Sequence, residues 1–561
     1  MLTNIIKLFI LLLFLNIQPV YSKILNNSDF KKKNLSNYFS ALVSLENQQI
    51  KDSLKFFNSS KSLIHFHEPY LKKYVVSLVN DGKIKKAAFE LKSKLNERNL
   101  NFFEAYLLLF IDSMKKDNFQ ESEKYLKIIL KFEEMDPYAN AISQSLNDYF
   151  FIFKNNQKKP LNENLGDLGF INLAFQSCYL GKDETENYFE NLLNKTKLDY
   201  SRYLFFYTNY LIFEKKYKEA KELTDSVDII NSKLLSLQTK YWLDAKEYQK
   251  IQDIFSCKNK NDILSEFFYL IASLYSSESE YKKSNFYLNI SNFLNPKFKF
   301  NLTLSAENFY ANKKYTQSKI IIDKFNKEDG VYYWYKIKKN SQIILKNEGE
   351  KQSSNYLNVN FSKIKNPSEK ILFDMGNLSK SFKNYEESID YYNRILLKIK
   401  NNTLSYADLL YRRGGAYERL GEYSKSDKDL MKSLKIEPDN AYVLNYLAYS
   451  WLERNYKIND AMKMLEIAYE QEPDDAFIID SIGWAYYLTG NYEKAEELLK
   501  KAIKIMPDDP IVNDHYGDIL WNLNRKIEAK YYWESVLNFE DTEEEMKSNV
   551  YLKILQGLQN I

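Results

Sequence analysis

The sequence predicts an all-α solenoid made of stacked helix–turn–helix pairs. Three observations carry that prediction. First, Ala476–Asp509 reads as one complete pair, with small residues at Gly483, Ala495 and Ala502 where two helices must touch closely. Its large apolar residues, Ile479, Ile482, Tyr486, Tyr492 and Leu499, fall at helical spacings on the inward faces. Gly490-Asn491 separates the helices and Pro507 closes the second. Second, the same pattern continues on both sides of this unit. Third, 561 residues contain only 14 Gly and 10 Pro, with 45% apolar residues. That composition argues against an all-β or loop-rich enzyme and against a disordered chain. One such pair cannot bury its apolar face alone, so neighbours must stack into a continuous core.

Taken in order, Met1–Ser22 reads as a secretory signal peptide. Lys7 precedes an unbroken apolar run, Leu8–Leu15, and Pro19 and Ser22 precede Lys23. The run is short for a membrane span, an uncleaved anchor being the competing reading. No Cys follows the run, which disfavours a lipid anchor. Residues 23–153 read as degenerate helical pairs: Tyr38–Asn47 with Asp52–Ser60, Pro69–Leu78 with Ile84–Leu95 around Asp81-Gly82, and Ala105–Met114 with a helix through Phe119, Ser122 and Leu126. Residues 154–400 read as divergent pairs. A marker recurs there and beyond, an aromatic followed three residues later by Ala or Ser: Tyr217/Ala220, Tyr281/Ser284, Tyr315/Ser318, Tyr385/Ser388, Tyr423/Ser426 and Tyr492/Ala495. Each is expected to open a second helix. Lys154–Asp167 and Lys346–Pro367 look irregular and are expected to be joints.

Residues 401–540 hold the best-formed units. Ala407–Asn440 and Ala441–Asp475 repeat the pattern, the latter with one extra turn residue, and a last unit starts at Pro510. This is the pattern of the tetratricopeptide repeat (TPR), about 34 residues long. The fold class is therefore a TPR-type right-handed superhelix of roughly a dozen helix pairs. Residues 541–561 are expected to form a capping helix. Thr542-x-x-Glu545 resembles a capping box, and Met546, Val550, Ile554 and Leu558 make one apolar stripe.

Composition bounds the chemistry. A net charge of +4 does not imply a nucleic-acid partner, and none is expected. Residues 401–561 hold 19 Lys and Arg against 29 Asp and Glu, and the rest holds 60 against 46. These read as two solvated surfaces, or as two arms for different partners. Cys178 and Cys257 are far apart in sequence, and solenoid repeats contact their neighbours. They are expected as separate buried thiols, a disulfide being the alternative in an oxidising compartment. No phosphate-binding glycine loop, nucleophile elbow or zinc-protease helix is present. His65 and His67 have no third histidine nearby, so neither a metal nor a cofactor is expected, and no catalytic residue is assigned.

The polar residues that stand out occupy the fifth, sixth and ninth positions of the first helix in each late unit. They are Tyr411, Arg412 and Gly415; Asn445, Tyr446 and Tyr449; Asp480, Ser481 and Trp484; and Asp514, His515 and Asp518. First helices line the inner face of such a solenoid. Aromatic area beside amides and carboxylates suits an extended protein or peptide segment with basic groups. Alternatively, Asp480 and Asp514 cap or brace neighbouring helices.

The runs YRRGGAYERLGEYSKSDKDL (411–430), VLNYLAYSWLE (443–453), IIDSIGWAYYLTGNYEKA (478–495) and VNDHYGDILWNLNRKIEAK (512–530) resemble the C-terminal half of exported proteobacterial TPR proteins. Some of those are outer-membrane lipoprotein scaffolds, and one group recruits a periplasmic processing protease and its substrates. This sequence departs from them in lacking the lipidated Cys. The resemblance implies a non-enzymatic periplasmic scaffold or adaptor with protein or peptide partners in the cell envelope. Membrane contact is then peripheral or through an uncleaved N-terminal segment. Narrower alternatives are an adaptor for a periplasmic protease or outer-membrane assembly machinery, and a structural part of an envelope polysaccharide-export system.

Overall fold

The computed structural model describes residues 32–65, 67–95, 100–160, 163–194, 201–540 and 542–558. The signal-peptide reading of Met1–Ser22 lies outside them. The described residues hold thirty α-helices and no strand. None of these helices is long and apolar enough to cross a membrane. The chain divides into two compact units. The first runs through Val227 and resumes over Ser232–Asn347; the second takes Asp228–Asn231 and Glu348–Ile561.

In the first unit eight pairs are built by Lys32–Glu46 with Ile50–Ser59, Glu68–Asn80 with Ile84–Lys92, Phe103–Lys115 with Phe119–Ile129, Gly166–Leu180 with Thr185–Leu193, Tyr203–Phe213 with Tyr217–Asp225, Leu234–Asp244 with Tyr248–Ile254, Lys260–Ser277 with Tyr281–Leu294, and Leu302–Ala311 with Tyr315–Ile322. Pro137–Asn155 and Val331–Glu348 are single helices. All six aromatic markers begin second helices, as the sequence predicts.

The second unit begins with Glu350–Phe361 and continues with five pairs. The first of these is Glu369–Ser381 with Tyr385–Leu396. Four regular repeats follow: Leu404–Arg419 with Tyr423–Ile436, Ala441–Glu453 with Ile458–Gln471, Ala476–Leu488 with Tyr492–Ile505, and Pro510–Asn522 with Lys526–Asn538. Glu544–Gln556 covers the last repeat through buried Val550, with Met546, Ile554 and Leu558 packed beside it.

One backbone feature recurs in every pair. The turn needs a residue at left-handed φ, which is cheapest for Gly. Gly82, Gly181, Gly421 and Gly490 fill it in four pairs. In the other nine it is Gln48, Asp117, Lys215, Lys246, Ser279, Lys313, Lys383, Asn455 or Asn524, at φ between +54° and +62°. The extra turn residue before Ile458 shows as a second left-handed residue, Lys457.

Three sequence expectations need correction. Cys178 and Cys257 form a disulfide across a Cα–Cα distance of 5.8 Å. The first unit folds back on itself, so repeats distant in sequence meet there. Lys258 anchors the same contact by donating to the carbonyl oxygens of Cys178 (2.6 Å) and Tyr179 (3.1 Å) at a helix C-terminus. Within Lys346–Pro367, Glu350–Phe361 is a helix; it buries only Ser353 and Leu357, which left it without a legible stripe. Thr542 is not an N-cap. Its hydroxyl donates to Val536 O at 2.6 Å, closing the previous helix, and the capping helix starts at Glu544 without a side-chain cap.

Candidate partner-binding groove

The first helices of the four repeats are held in register by their caps. Thr403, Asn440, Asp475 and Asp509 each accept a backbone N–H from the first turn that follows. Gly414, Ala448, Gly483 and Gly517 then let the second helix approach closely. A Cβ on Gly483 would fall on Leu499, and one on Gly517 would fall on the indole of Trp533. With one face committed to that packing, positions two, five, six and nine turn to the other side.

There a groove of about 550 Å³ opens over the second and third repeats. It is lined by five predicted residues: Asn445, Tyr446 and Tyr449 from one helix, and Asp480 and Ser481 from the next. Tyr446 donates to Glu418 at 3.0 Å, and Ser481 donates to Phe477 O at 2.9 Å. Tyr449 is pushed well above the usual phenol range by burial, with Glu453 and Asp480 adding to it. Two buried polar atoms of the lining, Asn445 Oδ1 and Ser450 Oγ, have no hydrogen-bond partner among the described residues. Such atoms cost free energy until something hydrogen-bonds them.

The remaining predicted residues do not line this groove. Tyr411 meets Tyr446 edge-on at 5.8 Å, and Arg412 pairs with Asp408 at 3.1 Å. His515 Nδ1 lies 3.0 Å from Asp480, and its ring stacks on Trp484 at 4.0 Å. Trp484 stacks in turn with Tyr487 at 4.6 Å and donates to Glu453 at 3.1 Å. Asp514 and Asp518 hold Lys553 of the capping helix at 2.7 and 2.8 Å, and Asp518 also accepts from Trp533 at 3.0 Å. The acidic end of the row is thus spent on braces between helices. Burial, helped by Asp514, pushes the Asp518 carboxyl up to about 6. Burial opposes charge on His515, yet Asp480 and the other two carboxylates prevail and raise it.

Two residues not singled out in the sequence line the groove, and two more lie on the same surface. Phe477 and Ile511 line it and stay largely exposed, and Tyr442 is exposed at the matching position one repeat earlier. Their recurrence at position two of successive first helices was the available signal. Lys380, from the preceding pair, reaches toward Gly415. A Cβ on Gly415 would come within 2.8 Å of Lys380 Nζ and 3.2 Å of Tyr446 Oη. Burial first, then Arg412 and Arg419, push the Lys380 amine down to about 8. Both arginines already face carboxylates, Arg412 at 3.1 Å from Asp408 and Arg419 at 3.6 Å from Glu418.

His65 and His67 take different partners, Lys94 at 3.2 Å and Tyr38 at 2.9 Å. Among the described residues no group of three or more His, Cys, Asp or Glu is placed to hold a metal ion.

Residues 476–509 and 407–440 each match the tetratricopeptide repeat family. The chain is 34% identical over 111 residues to the TPR repeat-containing protein PA4667 of Pseudomonas aeruginosa. That stretch is 20% of this chain and 19% of the relative, so the chain spans about a fifth of the relative's length. Among solved structures it is similar to TTC0263, a thermophilic TPR protein of Thermus thermophilus, at 18% identity and a TM-score of 0.30, over 34% of this chain and all of that one. It is also similar to MamA of Desulfovibrio magneticus RS-1, at 21% identity and a TM-score of 0.27, over 31% of this chain and 97% of that one. The matched repeats support a TPR repeat protein, whose kind of fold suggests a protein-interaction scaffold.

Proposed function

We propose that this chain is a non-enzymatic scaffold that holds a segment of a protein partner along the first helices of its C-terminal repeats. The carrying observation is the groove over Asn445 and Ser481. It offers exposed apolar area at Phe477 and Ile511, and it leaves Asn445 Oδ1 and Ser450 Oγ for a partner's donors. Aromatic area beside a few unmet polar groups is what concentrates binding energy in a protein interface. An exported, envelope-located role is supported by the signal-like Met1–Ser22 and by the disulfide, a bond that persists in oxidising compartments.

The test is site-specific photo-crosslinking in intact cells, with benzoylphenylalanine in place of Phe477 and, as control, in place of exposed Ile467 on a second helix. A discrete protein captured from position 477 but not 467, and lost in Asn445→Leu, is the expected result. Equal capture from both positions would overturn the groove assignment. A protease as the captured protein would narrow the scaffold to an adaptor. Mass spectrometry of the mature chain should find its N-terminus near Lys23; an intact Met1 would count against export by cleavage.

A further inference from the structure

We propose a second binding site, in the first unit, that takes a short neutral peptide segment carrying an apolar side chain. The structure places there a cavity of about 300 Å³, walled by helices from opposite ends of the unit. The first pair contributes Leu45, Gln48 and Ile50, and Glu68–Asn80 contributes Val76 and Asn80. Tyr281–Leu294, some two hundred residues later, contributes Asn285 and Phe286. Lys282 and Glu46 pair across this closure.

Its polar groups point to the ligand. Gln48 and Asn285 are each only 6% exposed. Yet Gln48 Nε2, Gln48 Oε1, Asn285 Nδ2 and Asn80 Oδ1 are buried with no hydrogen-bond partner among the described residues. These are two donors and two acceptors, the complement of the C=O and N–H groups of two peptide units. Of the seven charged residues in the lining, Lys72 lies 3.0 Å from Glu104, Lys282 holds Glu46 with Lys73 adding to its field, Asp136 accepts from Ala139 N–H at 2.8 Å and Lys283 lies 3.9 Å from Glu280. A neutral ligand is therefore favoured over an ion. The wall also carries an apolar part, with Ile50, Val76, Phe103 and Phe309 among it, which suits an aliphatic or aromatic side chain.

A sugar could also meet two donors and two acceptors, but sugars rest on open aromatic faces. Here the two wall tyrosines, Tyr275 and Tyr287, stack on each other at 5.5 Å, and rings outside the lining continue the column, Tyr138 on Tyr275 at 4.4 Å and Phe268 on Tyr287 at 6.1 Å. Their faces are spent on one another, which favours the peptide.

The experiment titrates the whole chain with two defined probe sets, using calorimetry. One is a library of N-acetylated, C-amidated hexapeptides with a central apolar residue; the other is a panel of neutral oligosaccharides. A subset of the peptides should bind and the oligosaccharides should not. Gln48→Leu keeps the side-chain size and removes the unmet amide, so it should weaken peptide binding roughly tenfold while leaving the melting temperature equal or higher. Val76→Trp, which fills the cavity, should abolish binding. Asn445→Leu in the second unit should leave it unchanged, which keeps this site separable from the C-terminal groove. The proposal is overturned by oligosaccharide binding, by binding that Gln48→Leu and Val76→Trp leave intact, by a fall in melting temperature in Gln48→Leu, or by a cavity that binds neither set and holds only water.

Discussion

The two units hold their helix pairs together by different means. In the second unit the tightest helix–helix contact is small residue against large side chain: Gly376 under Tyr392, Gly414 under Leu430, Gly483 under Leu499 and Gly517 under Trp533. In three pairs of the first unit Ala takes the glycine's place, and a Ser twelve residues later donates into the first helix. Ser53 reaches Ala41 O at 3.0 Å, Ser284 reaches Ala272 O at 2.7 Å and Ser318 reaches Ala306 O at 2.9 Å. Long-range ties are also concentrated in the first unit. The disulfide joins residues 79 apart, and Arg202 forms a two-pronged pair with Glu266 at 2.7 and 2.6 Å. The same guanidinium donates to Asn301 at 2.6 Å and lies 3.7 Å from the Tyr269 ring. The difference teaches that one repeat design can be closed by local shape or by specific distant bonds.

The largest expected effect tests the distant bonds. Arg202→Met leaves the Glu266 carboxylate buried and unpaired, and should cost about 3–5 kcal/mol in denaturant unfolding. A loss below about 1 kcal/mol would mean the pair is no more than a surface bridge.

Next in size is the shape-based contact. Gly483→Leu overpacks the interface with Leu498 and Leu499 and should cost at least about 1–3 kcal/mol. An unchanged melting temperature would break the assignment of Gly483 to the closest helix approach.

A smaller, paired experiment sharpens the contrast most directly. Ser284→Ala removes the bond to Ala272 O and should lose about 0.5–1.5 kcal/mol. Ser426 holds the same position in the second unit, opposite Gly414, but its buried hydroxyl has no hydrogen-bond partner among the described residues. Ser426→Ala should therefore be neutral or stabilising. Equal losses at both sites would erase the distinction between the units.

The smallest effect is visible only against pH. His515 faces Asp480, Asp514 and Asp518, with Lys553 beside the last two. Its raised pKa means that the folded state holds the proton more tightly than the unfolded chain. That stabilisation is full below the ordinary histidine value, about 6.5, and is lost as pH rises through the raised folded value. The melting temperatures of wild type and His515→Gln should differ more at pH 5.5 than at pH 9. The opposite trend would remove the protonated histidine from the brace.

Much of the second unit was legible in the chain. The small residues at Gly414, Gly483 and Gly517 and the glycine turns at Gly421 and Gly490 announce the repeat, because glycine serves where a Cβ or a negative φ is not tolerated. The first unit was harder to read for a physical reason. Six of its eight turns place Gln, Asp, Lys or Ser in the left-handed region, and these residues carry no distinctive signature. The groove was half visible. Positions five, six and nine located Asn445, Tyr446 and Asp480, yet not whether their polar atoms were free. Asp514 and Asp518 are answered by Lys553 from a helix whose sequence pattern advertises only an apolar stripe.

Local periodicity therefore specified the helices, their pairing and the continuity of the core, since those depend on contacts within about 34 residues. The disulfide, the Arg202–Glu266 pair and the amide-lined cavity each bring together residues from well-separated repeats. They depend on the rotation accumulated over many repeats, which contacts within one repeat do not specify.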